Sequence, residues 1–182
     1  MVTAWTLSSV FFTALPLLSA GQCIVTIAGP LSVEGTPATA QQFVTVTSVA
    51  VDQVNGGYVV ADNGGHTLRR VWPNGTMTTF LWTWKLSGAS ADGATDGNNT
   101  LLNAPSAVIP DNAGGFYFCD RSNNVVRRLY VNGTLVRVAG NTTARFTPSP
   151  DGDGPATTVT LNFPGALSLD SSGGLWIADS GK

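Results

Sequence analysis

Three aspartates at matching positions are the first residues to suggest chemistry. Asp62, Asp120 and Asp179 each close a short apolar stretch (YVVAD, FYFCD, LWIAD), and they stand 58 and 59 residues apart. Carboxylates are hard oxygen donors, so three of them converging on one axis could hold a divalent cation such as calcium or zinc. The alternative is structural, because an Asp leaving a strand can accept backbone N–H bonds from its own loop. A position repeated in every unit favours that second role, and no cofactor is assigned. Asp92, Asp96, Asp151 and Asp153 are spaced like acidic calcium loops, but no EF-hand glutamate follows them. The pairs Arg69-Arg70 and Arg127-Arg128 could contact an anion or RNA. Their repetition points instead to stems packed on a sheet, with heads bonded to adjacent-blade carbonyls or to Asp residues. His66 is the single histidine and corresponds to Asn124, which marks a polar loop position. One histidine cannot supply a His-rich metal set, and no Ser/His/Asp or Cys/His set is present. No catalytic residue is therefore assigned. Trp72, Trp82, Trp84 and Trp176 could line a groove, although core or interface positions are the ordinary use of tryptophan.

The elements that position these residues repeat with the same period. A first strand is expected at Ser48–Val51, Ser106–Ile109 and Ala166–Leu169. Each is followed by an Asp-led turn, DQVNGG, DNAGG or DSSGG, whose Gly-Gly permits positive φ. A second strand is expected at Tyr58–Ala61, Phe116–Cys119 and Leu175–Ala178. A third follows at Thr67–Trp72 and Val125–Tyr130. Asn74-Gly75 and Asn132-Gly133 then read as hairpin turns, leading to a fourth strand at Thr76–Trp82 and Thr134–Ala139. No segment has a helical period long enough to compete.

Four short strands joined by tight turns make an antiparallel meander, which cannot bury enough apolar surface alone. Stacking such sheets around an axis covers both faces of each, so the expected fold is all-β, a β-propeller of four-stranded blades. The expected domain is 21–182, with blades at about 43–84 and 102–141 and part of a third at about 161–182. Cys23–Ala28 aligns with the fourth strand and is expected to close the ring from outside the first blade. With two full blades, part of a third and a closing strand, the expectation is a propeller whose remaining blades lie beyond Lys182, the alternatives being assembly of several chains into a ring or an open, unstable arc with exposed edges.

Compartment is legible in the first twenty residues. They carry no charged side chain and hold an apolar run from Val10 to Leu18 followed by small residues. This reads as a secretory signal peptide over 1–20, against the alternatives of a buried strand or an uncleaved anchor. LLSAGQC has the outline of a lipobox, but Gln22 stands where a small residue is wanted. Four N-x-S/T sequons, at Asn74, Asn98, Asn132 and Asn141, agree with export. Asn-Gly at Asn74 and Asn132 is explained by turn formation alone, so Asn98 and Asn141 are the preferred glycan sites. Cys23 and Cys119 make no disulfide framework, and Cys119 replaces an alanine of the repeat, as a small buried residue would. Charged residues are 11% of the 182 and the formal net charge is −2. That excludes the clustered positive charge of a nucleic-acid surface.

The stretches SVAVDQVNGGYVVADNGGHTLRRV and SAVIPDNAGGFYFCDRSNNVVRRL, with the partial copy ALSLDSSGGLWIADSG, resemble the NHL-repeat family of β-propellers. The linker DGDGPATTVTLNFPGAL is similar to that of long extracellular NHL repeats. Pro110, Cys119 and the short third unit depart from the pattern. The resemblance implies the propeller fold and leaves function open, because the family includes enzymes, RNA-binding modules and protein-binding scaffolds. The expected function is a non-catalytic secreted or ectodomain scaffold binding a protein or glycan ligand, with no nucleic acid and no membrane insertion beyond the leader. The alternative is a metal-dependent lyase or lactonase-type propeller with its other ligands in further blades.

Overall fold

The computed structural model describes residues 42–81, 88–89, 93, 100–141 and 154–181. The leader, Cys23–Ala28, Trp82, Trp84, Asn98 and the acidic residues Asp92, Asp96, Asp151 and Asp153 lie outside the described residues. Among the described residues there are ten strands: β1 Val46–Val51, β2 Tyr58–Asp62, β3 Thr67–Val71, β4 Met77–Leu81, β5 Pro105–Pro110, β6 Phe116–Asp120, β7 Val125–Leu129, β8 Leu135–Ala139, β9 Pro164–Leu169 and β10 Leu175–Asp179. They form two four-stranded antiparallel meanders, β1-β2-β3-β4 and β5-β6-β7-β8, and a β9-β10 hairpin. Every strand expected within the described residues is found, with bounds shifted by one or two residues. A 3₁₀ turn at Arg121–Asn123 interrupts the β6–β7 loop.

β1 packs beside β5 and β5 beside β9, so the first strands of successive units gather on one side. They are also the sheet-edge strands, which explains how β5 tolerates Pro105 and Pro110. Between the two complete sheets lies a core of Ala50, Val59, Ala61, Leu68, Leu102, Val108, Phe116, Phe118, Leu129 and Leu135. A second core joins Cys119, Val126 and Ala139 to Leu167, Leu175 and Ile177 of the hairpin. The middle strands β6 and β7 are therefore covered on both faces, whereas β9 and β10 alternate between covered and exposed positions.

The turns have sharper requirements than an Asn-Gly pair suggests. Trp72 N–H donates to Thr76 O (2.9 Å), and Gly75 N–H donates to Trp72 O (2.8 Å). Gly75 has φ +81° while Asn74 stays at negative φ. The loop is thus Pro73-Asn74-Gly75, a type I turn with a G1 bulge rather than a two-residue I′ turn. Val131-Asn132-Gly133 repeats it, with Gly133 at φ +84°. In the β1–β2 turn, Gly57 combines φ +76° with backbone contact so close that a Cβ would lie 2.0 Å from Val71 O. Only glycine fits there.

Phe118 is fully buried between the two sheets. Phe118→Ala should lower unfolding free energy by roughly 3–5 kcal/mol, a large part of the total for a domain. Urea denaturation followed by tryptophan fluorescence checks this, and a loss below about 1 kcal/mol would show that the sheets do not share this core.

Candidate functional site

The structure separates the polar residues into two ends of the sheets. The loop end carries the β2–β3 and β6–β7 loops and the segments that enter β1, β5 and β9. The turn end carries the β1–β2, β3–β4, β5–β6, β7–β8 and β9–β10 turns.

Asp62, Asp120 and Asp179 all lie at the loop end, where each carboxylate reaches back to the segment entering its own unit. Asp62 Oδ1 accepts the N–H of Thr45 (2.8 Å), Asp120 Oδ1 that of Asn103 (2.8 Å), and Asp179 Oδ1 that of Asn162 (2.7 Å). Asp62 also accepts from Val44 N–H and from Gly65 N–H in its own loop. Asp120 accepts from Asn123 Nδ2 (2.8 Å) and from Arg127 Nε (3.1 Å). Asp62 and Asp120 are both 0% exposed. Among the described residues, no three of His, Cys, Asp or Glu gather into a group that could hold a metal ion. The three carboxylates thus act as backbone acceptors, bonded mainly to the segment before the first strand as well as to their own loops.

His66 has a more specific part than a polar loop residue. Its Nδ1 accepts the N–H of Ala104 (2.9 Å), the residue before β5. In the next unit, Asn124 Oδ1 accepts the N–H of Phe163 (2.9 Å), before β9. All four residues have positive φ, between 51° and 57°. His66 and Asn124 therefore perform the same task, tying one unit to the next. Asn63 adds bonds from Nδ2 to the Ala104 and Pro105 carbonyls, and Arg121 lies over the Phe163 ring at 4.9 Å. Hydroxyls repeat the theme on the inner strands: Thr47 donates to Ser106 O (2.8 Å), and Ser106 donates to Pro164 O (3.0 Å). Thr47 and Ser106 sit in matching bulges of β1 and β5, which turn their side chains toward the following unit.

The arginine heads bond Asp residues, as expected, and those aspartates belong to the same sheet. Arg70 pairs with Asp52, Arg128 with Asp111 (2.7 Å) and Arg127 with Asp120. Asp52 and Asp111 are the leading residues of the Asp-led turns after β1 and β5, and the turn motif alone does not name them as arginine partners. The signal was available, since Asp52 precedes Arg70 by 18 residues and Asp111 precedes Arg128 by 17. Two of these heads also face an aromatic ring, Arg70 over Trp72 at 3.9 Å and Arg128 over Tyr130 at 4.3 Å. Trp72 is 36% exposed and Trp176 67%, so neither is a core residue. Cys119 is buried, and burial pushes its thiol up to about 12, which makes it unreactive at neutral pH.

The turn end also holds two adjoining clefts that share Gly114 and Gly115. The inner one, of about 330 Å³, is lined by Gln53 and Val54 from one turn and Pro110 and Asn112 from the next. The outer one, of about 280 Å³, runs past Arg70, Tyr130, Val131 and Asn132.

No family model matches the chain, and no curated protein matches it to a significant degree. Solved structures do. A structural-genomics protein of unknown function from Bacteroides thetaiotaomicron VPI-5482 superposes with a TM-score of 0.60 at 24% identity, over 72% of this chain and 32% of that one. An auxiliary nutrient binding protein from Bacteroides ovatus gives 0.55 at 18%, over 76% and 46%. A gluconolactonase from Xanthomonas campestris gives 0.50 at 14%, over 74% and 34%. The chain folds as blades of a β-propeller. It spans less than half the length of these proteins, and at such identities the likeness concerns the fold. No helix among the described residues is long and apolar enough to cross a membrane.

Two outcomes follow from the loop end. Burial pushes the Asp120 carboxyl up to about 6, against the pull of Arg127, Asn123 and the Asn103 N–H. Between about pH 4 and 6 the unfolded chain has released a proton that the folded chain keeps, so stability falls as pH rises through this window. Asp111 acts in the opposite sense. Burial opposes its ionisation, but the Ala113 and Gly115 N–H groups and Arg128 hold it below the ordinary carboxylate value. Its contribution is present at neutral pH and is lost as pH falls below about 4. Urea midpoints across pH 3–7 should show both limbs, and Asp120→Asn should flatten only the upper one. Separately, His66→Asn should leave stability within about 0.5 kcal/mol of the parent, whereas His66→Ala should cost about 1 kcal/mol by orphaning the Ala104 N–H. Equal losses in the two variants would contradict the shared role with Asn124.

Proposed function

We propose that this chain is part of a non-catalytic β-propeller scaffold of the NHL-repeat type, secreted or on an ectodomain, which takes a protein or glycan ligand at its turn end. The carrying observation is the contrast between the two ends. At the loop end, Asp62, Asp120 and Asp179 are engaged in bonds that fix the first strand of their own blades, and His66 and Asn124 in bonds that tie one blade to the next. At the turn end, a cleft opens between successive blades and is lined by Val54, Gln53 and Asn112, whose positions the fold does not use for inter-blade bonds. A rigid sheet stack presenting loops at one end is a common basis for recognition. The low formal charge gives no support to a nucleic-acid ligand.

The test is binding of the secreted chain to immobilised glycans and to a panel of cell-surface ectodomains. Val54→Asp and Gln53→Ala should weaken the observed binding at least tenfold without moving the melting midpoint, and Asn63→Ala at the loop end should leave it unchanged. Hydrolysis of an aldonolactone by the chain, dependent on added calcium or zinc and abolished by Asp62→Asn, would instead favour a metal-dependent enzyme.

A further inference from the structure

The two G1-bulge hairpins combine features that structural need alone does not require. Each carries an aromatic residue, then Asn two positions later, then Thr two positions after that: Trp72, Asn74, Thr76 in the first blade and Tyr130, Asn132, Thr134 in the second. The aromatic residue and the Thr are cross-strand partners, joined by Trp72 N–H to Thr76 O (2.9 Å) and Tyr130 N–H to Thr134 O (2.9 Å). Side chains two apart on a strand share a face, as do those of directly opposed residues. Arg70 and Trp72 therefore stand on the same face as Thr76. Trp72 and Tyr130 are 36% and 37% exposed, and each ring already has an arginine head against it. At the tips, Asn74 and Asn132 are exposed. Asn74 Oδ1 accepts the N–H (3.0 Å) and the hydroxyl (2.8 Å) of Thr76, and Asn132 Oδ1 accepts the N–H of Thr134 (3.0 Å). Among the described residues neither Nδ2 is engaged. Asn141 differs, being half-buried with its Nδ2 donated to Thr158 O (3.4 Å).

We propose that Asn74 and Asn132 are N-glycosylation sites at which the first N-acetylglucosamine packs its C–H face on Trp72 and Tyr130. The amide nitrogen is the atom that is modified. Nδ2 bonds to C1 of the sugar and releases a proton, while the bond from C1 to a lipid-diphosphate carrier breaks and the lipid diphosphate leaves. The side-chain carbonyl, held by the Thr two residues on, orients that nitrogen outward. A pyranose has an apolar face of ring C–H groups, and an exposed aromatic ring gains by covering it. This reverses the preference that sequence assigns to Asn98 and Asn141, because the turn role of Asn-Gly uses the backbone and Oδ1 and leaves Nδ2 available. It also divides the turn end by blade radius. A sugar on Asn132 lies over the outer cleft, which Tyr130, Val131 and Asn132 line, and leaves the inner cleft of Gln53, Val54 and Asn112 for a ligand.

The proposal shares with the functional reading only the expectation of export, and its test does not depend on any ligand. The full chain, with its own leader, is produced in a secreting eukaryotic cell and its glycopeptides are read by mass spectrometry. Both Asn74 and Asn132 should be occupied, and Thr76→Ala and Thr134→Ala should each empty one site. The glycoprotein is then trimmed to a single N-acetylglucosamine with an endoglycosidase, or stripped with an amidase. The single sugar should preserve the melting midpoint, and stripping should lower it by roughly 2–4 °C per site. In the Trp72→Thr, Tyr130→Thr double variant the two treated forms should melt together. The amidase leaves Asp in parent and variant alike, so the comparison isolates the ring. Empty sites on the recovered protein overturn the proposal, as does an equal effect of stripping in parent and variant.

Discussion

A carboxylate that reaches back seventeen residues sets the geometry of every blade. Asp62, Asp120 and Asp179 end the second strand of their units, and each accepts an N–H from the segment that is about to become the first strand. Without that acceptor the entering segment would bring unpaired backbone N–H groups to a buried place, a cost of order 1–3 kcal/mol for each group. With it, the entry of the first strand is pinned beside the exit of the second, and the register of the hairpin between them is constrained from both ends. Gly57 and Gly115 close the opposite end by letting the turn backbone approach the third strand.

Blade-to-blade packing depends on this registration. Once the entering segment is fixed, Ala104 and Phe163 are presented at positive φ, and their N–H groups meet His66 and Asn124 of the preceding blade. The bulges that place Thr47 and Ser106 against the next blade's carbonyls lie a few residues further along. Apolar burial between Phe116, Phe118, Leu68 and Leu135 supplies most of the attraction. The polar ties select the relative placement, since apolar contact alone is not directional.

The same arrangement explains why the two ends differ. Loop-end side chains are engaged in joining blades. Turn-end side chains have a lighter structural duty, in which Asp52 and Asp111 order their own turns and hold Arg70 and Arg128. Those arginines are in turn laid against Trp72 and Tyr130, so a stacked aromatic surface persists on the hairpins where solvent reaches it. Among the described residues, the turn end thus carries clefts between turns beside exposed aromatic faces.

The period of 58 and 59 residues, with its strand and turn signals, determined the all-β blade architecture before any coordinates. Strand existence needs only local alternation and turn chemistry, and both are written in each copy. Comparison of copies also identified Cys119 as a buried alanine substitute and His66 as the counterpart of Asn124. Contacts between blades were a different matter. That His66 and Asn124 accept N–H groups 38 and 39 residues ahead depends on how two sheets stack, and no local pattern encodes that distance. Which aspartate each arginine takes was open for a related reason: charge and spacing name the possible aspartates, but the sheet's pleat and twist decide which one a guanidinium reaches. Trp72 looked like core by residue type, and only its place beside a hairpin tip left it exposed. Sequence thus specified the repeated unit through local backbone preference, and tertiary structure decided which repeated side chains join the units and which remain open to a ligand.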